Sequence, residues 1–137
     1  MENKKAILIS IRKEWWDKIK TGKKKIELRK TEPKQIKGSF TCYVYVPEEK
    51  AVCGQFCVAA VAPVQPSEEL VHTSCVSLKK QIEYKGNGTL YGWLIKLPAE
   101  YTRKFKLKEL MGLDRLHRAG STVMLLRQQK QIERGRI

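Results

Sequence analysis

The sequence has little of several things. Histidine occurs twice, at His72 and His117, and the four cysteines (Cys42, Cys53, Cys57, Cys75) form neither a CxxC pair nor a Cys/His cluster at zinc spacing. A metal site or a histidine-based nucleophile relay would need partners from elsewhere, so no metal and no cofactor is expected. The cysteines read as buried free thiols used for packing. No apolar run approaches the roughly 18 residues of a membrane span, and the opening MENKKAILIS lacks a long apolar segment followed by a small-residue cleavage site. A cytoplasmic protein with no membrane partner is expected. Internal repeats and low-complexity linkers are missing as well. Acidic residues are scarce beside basic ones: 14 Asp+Glu stand against 28 Lys+Arg, a formal net charge of +14. Such a surface field favours polyanions, and nucleic acid is the commonest that a protein meets.

What is present suits one compact domain. A chain of 137 residues with 42% hydrophobic content can bury a core and is too short for two ordinary domains. We place the domain at 1–126 and a basic tail at 127–137, where RQQKQIERGRI has too few apolar residues to pack. Ala6 to Ile11 reads as a buried strand, and Lys13 to Thr21 as a helix with Trp15, Trp16 and Ile19 as its apolar side and Gly22 as its stop. Arg12 is a poor N-cap for it. In KKKIELRK the alternation sets Ile26 and Leu28 on one face and Lys25, Glu27 and Arg29 on the other.

Further strands are predicted at Phe40–Val46, ended by Pro47; at Val52–Val61, with Gly54 allowing a bulge or a close approach by another backbone and Pro63 and Pro66 breaking the run; at Leu90–Leu97, stopped by Pro98; and at Thr122–Leu126. Ser67 and Ser77 each open a short helix, the second ending at Gly86 or Gly88. Tyr101 to Leu113 is basic and partly amphipathic. Short separated strands that outnumber helices point to an α+β fold. A small, mixed, partly closed β-barrel with flanking short helices fits better than a doubly wound parallel sheet.

One segment carries a signature. Gly22 to Arg29, GKKKIELR, reads G-x-K-x-x-E-x-R and resembles the signature of the ASCH domain, a branch of the PUA-like β-barrel superfamily. ISIRKEWWDKIKTG before it, VCGQFCV after it, and SCVSLKKQIEYKGNGTLYGWLIKL further on resemble the elements of bacterial and phage-type members, in the same order. The resemblance implies a PUA-like fold and a nucleic-acid reader with its signature along a cleft. A separate branch hydrolyses the acetyl amide of acetylcytidine with a lysine and a threonine of the signature and a distant glutamate. Lys24 matches that lysine, whereas Glu27 stands where the threonine would be, so the hydroxyl nucleophile is missing.

Arg29 offers a planar fork for phosphate or a base edge, and Glu27 an acceptor for an exocyclic amine. Regular pleating adds Lys25 to their row, and Lys24 joins only if the chain twists after Gly22. Two adjacent tryptophans on a short helix cannot share one core, so Trp15 or Trp16 should reach a surface or cleft. Tyr84, Tyr91 and Trp93 are the other aromatics considered for base stacking, Trp93 more as core.

The nucleic-acid-binding set is therefore Lys24, Lys25, Glu27, Arg29, Arg12, Trp15 and Trp16. RNA or a nucleotide is the implied partner, since no recognition helix for duplex DNA is evident. In the alternative, a hydrolase acting on RNA or a modified nucleoside, Lys24 and Glu27 form an acid–base pair. The plain reading is a Glu27–Arg29 or Glu27–Lys24 ion pair that only holds the turn. Basic residues form two clusters, Lys18 to Lys30 and Arg103 to Arg118, which make a phosphate track if the fold unites them and a solubility device if it does not.

Overall fold

The computed structural model describes residues 6–33, 38–111, 118–119 and 123–126. Seven strands form one mixed sheet: β1 (Ala6–Ser10), β2 (Ile26–Arg29), β3 (Phe40–Val46), β4 (Ala51–Val64), β5 (Leu90–Phe105), β6 (Arg118–Ala119) and β7 (Val123–Leu126). Their order is β2-β5-β4-β3-β1-β7-β6, with β1 and β3 parallel and every other pair antiparallel. The helices are α1 (Lys13–Lys20), α2 (Glu68–Ser74), α3 (Leu78–Lys85) and α4 (Leu107–Met111).

Alternation decides the core. Ile7 and Ile9 of β1 and Phe40, Cys42, Val44 and Val46 of β3 join Trp16, Ile19, Phe56 and Trp93 in the main cluster. The residues between them, Ala6, Leu8 and Tyr43, pack with Val52, Tyr101 and Phe105 on the opposite face. Leu28 of β2 turns to a third cluster with Leu70 and Leu90, beneath α2. The sheet curls back on itself: β2 and β1 are separated by three strands in the order, yet Arg29 Nη2 donates to the Ser10 carbonyl at 2.9 Å. The result is a half-barrel with its main core on the concave side, the α+β, PUA-like architecture expected.

The helix ends follow local chemistry. Ser67 and Ser77 accept from Leu70 N and Lys80 N and cap α2 and α3. Arg12 makes no side-chain cap; Glu48 Oε1 instead accepts from Lys13 N at 3.0 Å, a cap supplied from the β3–β4 turn. Gly22, at φ +82°, ends α1. Gln81, fully buried, fastens α3 to α2 by accepting from Ser67 N and donating to the Ser67 and Val76 carbonyls.

Two expected strand ends are corrected. β4 runs through Pro63 to Val64, because β3 pairs only as far as Val58 and Pro63 lies where β4 has become an edge strand, so its missing N–H does no harm. β5 runs through Pro98 to Phe105, because Pro98 falls in a bulge, beside Leu97 at φ +51°, where the register shifts. Tyr101–Leu113 is accordingly not one segment: its first part is strand and Leu107–Met111 is α4. The final strand pairs Val123–Leu126 with β1. The proposed tail, 127–137, lies outside the described residues.

Candidate functional site

The turn after α1 builds the site. Lys23 N and Lys24 N both donate to the Lys18 carbonyl, while Lys25 N donates to the Thr73 carbonyl of α2 and its carbonyl accepts from Ile95 N. These bonds fix Lys24 before the pleat of β2 begins at Ile26. Lys24 is turned inward, 2% exposed, and Lys25 faces solvent. The expected row of Lys25 with Glu27 and Arg29 is thus corrected: the turn, not the pleat, sets the lysines, and Lys24 takes that place.

Three side chains of the signature converge. Lys24 Nζ donates to the Ser74 carbonyl at 2.6 Å and lies 3.4 Å from Glu27 Oε1. Arg29 Nε donates to Glu27 Oε2 at 2.7 Å, and its Nη2 holds Ser10. Lys24 therefore satisfies a carbonyl at the C-terminal end of α2, where cations are favoured. Burial lowers the Lys24 pKa, with Glu27 pulling the other way. Cys42, on the concave face of β3, has its thiol pushed well above the ordinary value by burial, and Arg29 opposes this. Two cations share one carboxylate, so the cluster is positive.

The rim is aromatic and cationic. Trp15 is half-buried, with Lys18 Nζ and Lys24 Nζ each 4.9 Å from its ring centroid. Tyr84 of α3 is 43% exposed, with Lys30 Nζ 5.6 Å from its ring centroid. Partial burial raises the Tyr84 pKa, Arg29 opposes this and Glu27 adds to it. Tyr84 therefore sits beside the signature.

The other expected residues are placed elsewhere. Trp16 is 1% exposed in the main core, and its indole N–H has no hydrogen-bond partner among the described residues, so it supports α1 instead of facing a ligand. Arg12 is exposed at the start of α1 and pairs with Glu48 at 3.4 Å. Trp93 is core, its Nε1 donating to the Thr31 carbonyl at 3.1 Å. Cys42 and Cys53 are buried, but Cys57 and Cys75 are only half-buried, which corrects the reading of four buried thiols. In the second basic cluster, Arg103 pairs with Glu109 and Lys104 with Glu49, while Arg115 lies outside the described residues. Among the described residues no group of three or more His, Cys, Asp or Glu is arranged to hold a metal, and no helix is long and apolar enough to cross a membrane.

Sequence reasoning missed the carbonyls of Ser74 and Ser10 and the pairing of Lys30 with Tyr84. The carbonyls carry no side-chain signal. Cys75 ends α2 in the left-handed region, φ +64°, where glycine would have announced the turn.

A curled mixed half-barrel, with a Lys–Glu–Arg cluster on its concave side and short helices at the rim, defines a PUA-like domain. The ASCH domain family model matches residues 9–112, more than half of the chain, and the chain belongs to that family. The crystal structure of ASCH from Zymomonas mobilis is similar at a TM-score of 0.74 and 19% identity, over 93% of this chain and 92% of that one. A point variant of that protein gives 0.77 and 17%, over 97% and 96%. The N-terminal domain of McrB from Staphylothermus marinus is similar at 0.55 and 8% identity, over 95% and 91%. At these identities the likeness is one of fold. No curated protein matches the chain.

Proposed function

We propose that this ASCH domain binds RNA through an unpaired stretch laid across the mouth of the signature, with Trp15 and Tyr84 stacking on bases and the surrounding lysines contacting phosphates. The observation that carries the reading is the rim: two rings, from α1 and α3, each with an ammonium over its face, beside a buried cluster of net positive charge. Stacking accepts any base and lysines accept any phosphate, so the surface suits single strands over duplexes. Lys24, Glu27 and Arg29 are satisfied by one another and by backbone carbonyls. Their part is to hold the rim and to set its potential.

Trp15→Ala and Tyr84→Ala are expected to weaken binding to a single-stranded RNA by about 1–3 kcal/mol each, measured by fluorescence anisotropy at low salt. Affinity equal to the wild type in both variants contradicts the reading.

A second reading draws on Lys24. Its lowered pKa suits a general base, with Glu27 as acid partner, in a hydrolase acting on RNA or a modified nucleoside. Incubation with labelled RNA and with acetylated cytidine, beside Glu27→Gln, decides it: without turnover that depends on Glu27, the enzyme reading falls.

A further inference from the structure

The half-barrel has a second opening. Gly38, at φ +76°, turns the chain entering β3, and β3 pairs with β4 only from Phe40↔Val58 onward. Beyond Val58, β4 has no strand partner on that side among the described residues. A cleft of about 320 Å³ lies there, with Glu32, Pro33 and Gly38 on one wall, Ala59 to Val61 on the other, and Phe40 between them. The volume falls at the lower end of the range for small-molecule sites, about 300–1,000 Å³.

One core residue fixes both walls. Trp93 donates to the Thr31 carbonyl, next to Glu32; its ring meets Phe40 edge-on at 5.7 Å; and Val61 is its register partner on β4. Thr31, Phe40 and Val61 are therefore held together by the core before any ligand arrives. Its chemistry is selective. Glu32 is exposed and makes no ion pair or hydrogen bond among the described residues; its carboxylate repels phosphate and accepts from an amine. Ala59 and Ala60 leave room for a flat ring, and the strand edge presents backbone N–H and C=O groups. An added peptide strand is disfavoured, since the register shifts at Ala59 and Pro63 lacks a donor.

We propose that the cleft between Glu32 and Ala60 is a subsite for one unpaired, amino-bearing nucleobase, with Glu32 accepting from its exocyclic amine. This rests on the RNA-binding reading: Glu32 lies three residues after Arg29, at most about 11 Å of chain, so one strand reaches both the aromatic rim and the cleft.

Free nucleosides, which carry no phosphate, test the cleft apart from the RNA surface. Titrating cytidine is expected to shift the amide resonances of Phe40 and Ala59 to Val61, with uridine weaker. Ala60→Leu, which fills the cleft from an exposed position, should abolish those shifts. Glu32→Gln, a surface change that leaves the fold intact, should lower affinity for a short oligo(rC) about tenfold, the scale of one hydrogen bond to a charged acceptor. Cytidine shifts absent from these amides, or oligo(rC) affinity unchanged by Glu32→Gln, overturn the subsite and leave the RNA reading in place. Failure of the wild type to bind any RNA while cytidine still shifts the cleft amides sinks the RNA reading and sustains the subsite.

Discussion

Replacing Lys24 with methionine keeps the length of the side chain and removes the ammonium that Ser74 and Glu27 share. The Ser74 carbonyl then has no donor at a site little exposed to water, so a loss of about 1–3 kcal/mol of stability is expected, read as a lower urea midpoint with unchanged slope. Lys24 also leaves a signature in pH. Its folded pKa lies below the ordinary 10.5, so between the folded and unfolded values the unfolded chain holds the extra proton, and stability from this group rises with pH across that window. Wild type is expected to gain on Lys24→Met as pH climbs toward 10.5; a constant difference between the two denaturation curves contradicts the assignment. At this scale the sequence was half legible. G-x-K-x-x-E-x-R announces the charges, but which lysine turns inward depends on amides donating to Lys18 and Thr73 carbonyls, and backbone bonds of that kind have no residue code.

Among the elements, α1 is seated by a close approach of Trp16 to the β4 backbone at Gly54. A Cβ on Gly54 would fall 2.4 Å from both the Ala99 carbonyl and Trp16 Cζ2. Gly54→Ala must displace α1 or β5, and a loss of about 1–3 kcal/mol should appear in thermal melts together with weaker RNA binding, because Trp15 rides on the same helix. Unchanged melting would show that α1 is not clamped there. Gly54 was legible as a site of bulge or close approach; its neighbour was not, since nothing local names Trp16. Capping serines and alternating strands were read correctly for the same reason that Pro63 and Pro98 misled. The former are local interactions, while a proline's tolerance in a strand depends on whether the facing edge is paired or bulged, which is a tertiary fact.

For the whole molecule, net charge of +14 says only that polyanions are attracted; the ion pairs say which cations are already engaged. Arg12, Lys13, Lys20, Arg103 and Lys104 are engaged by acidic neighbours. Lys23, Lys25 and Lys30, around the signature, are exposed and make no ion pair among the described residues. Lys50, Lys79, Lys80, Lys96, Lys106 and Lys108 are exposed without an ion pair among the described residues too, but only Lys23, Lys25 and Lys30 adjoin the signature, and single-stranded RNA laid there should release counterions as its phosphates meet these three lysines. The direct measurement is the RNA affinity of the wild type and of a Lys23/Lys25/Lys30→Ala variant across a salt series. The account predicts a linear fall of log affinity with log salt, and a slope smaller by about 2 in the variant, at about 0.7 per lost phosphate contact. Parallel lines for the two proteins, or binding that salt does not weaken, would contradict it.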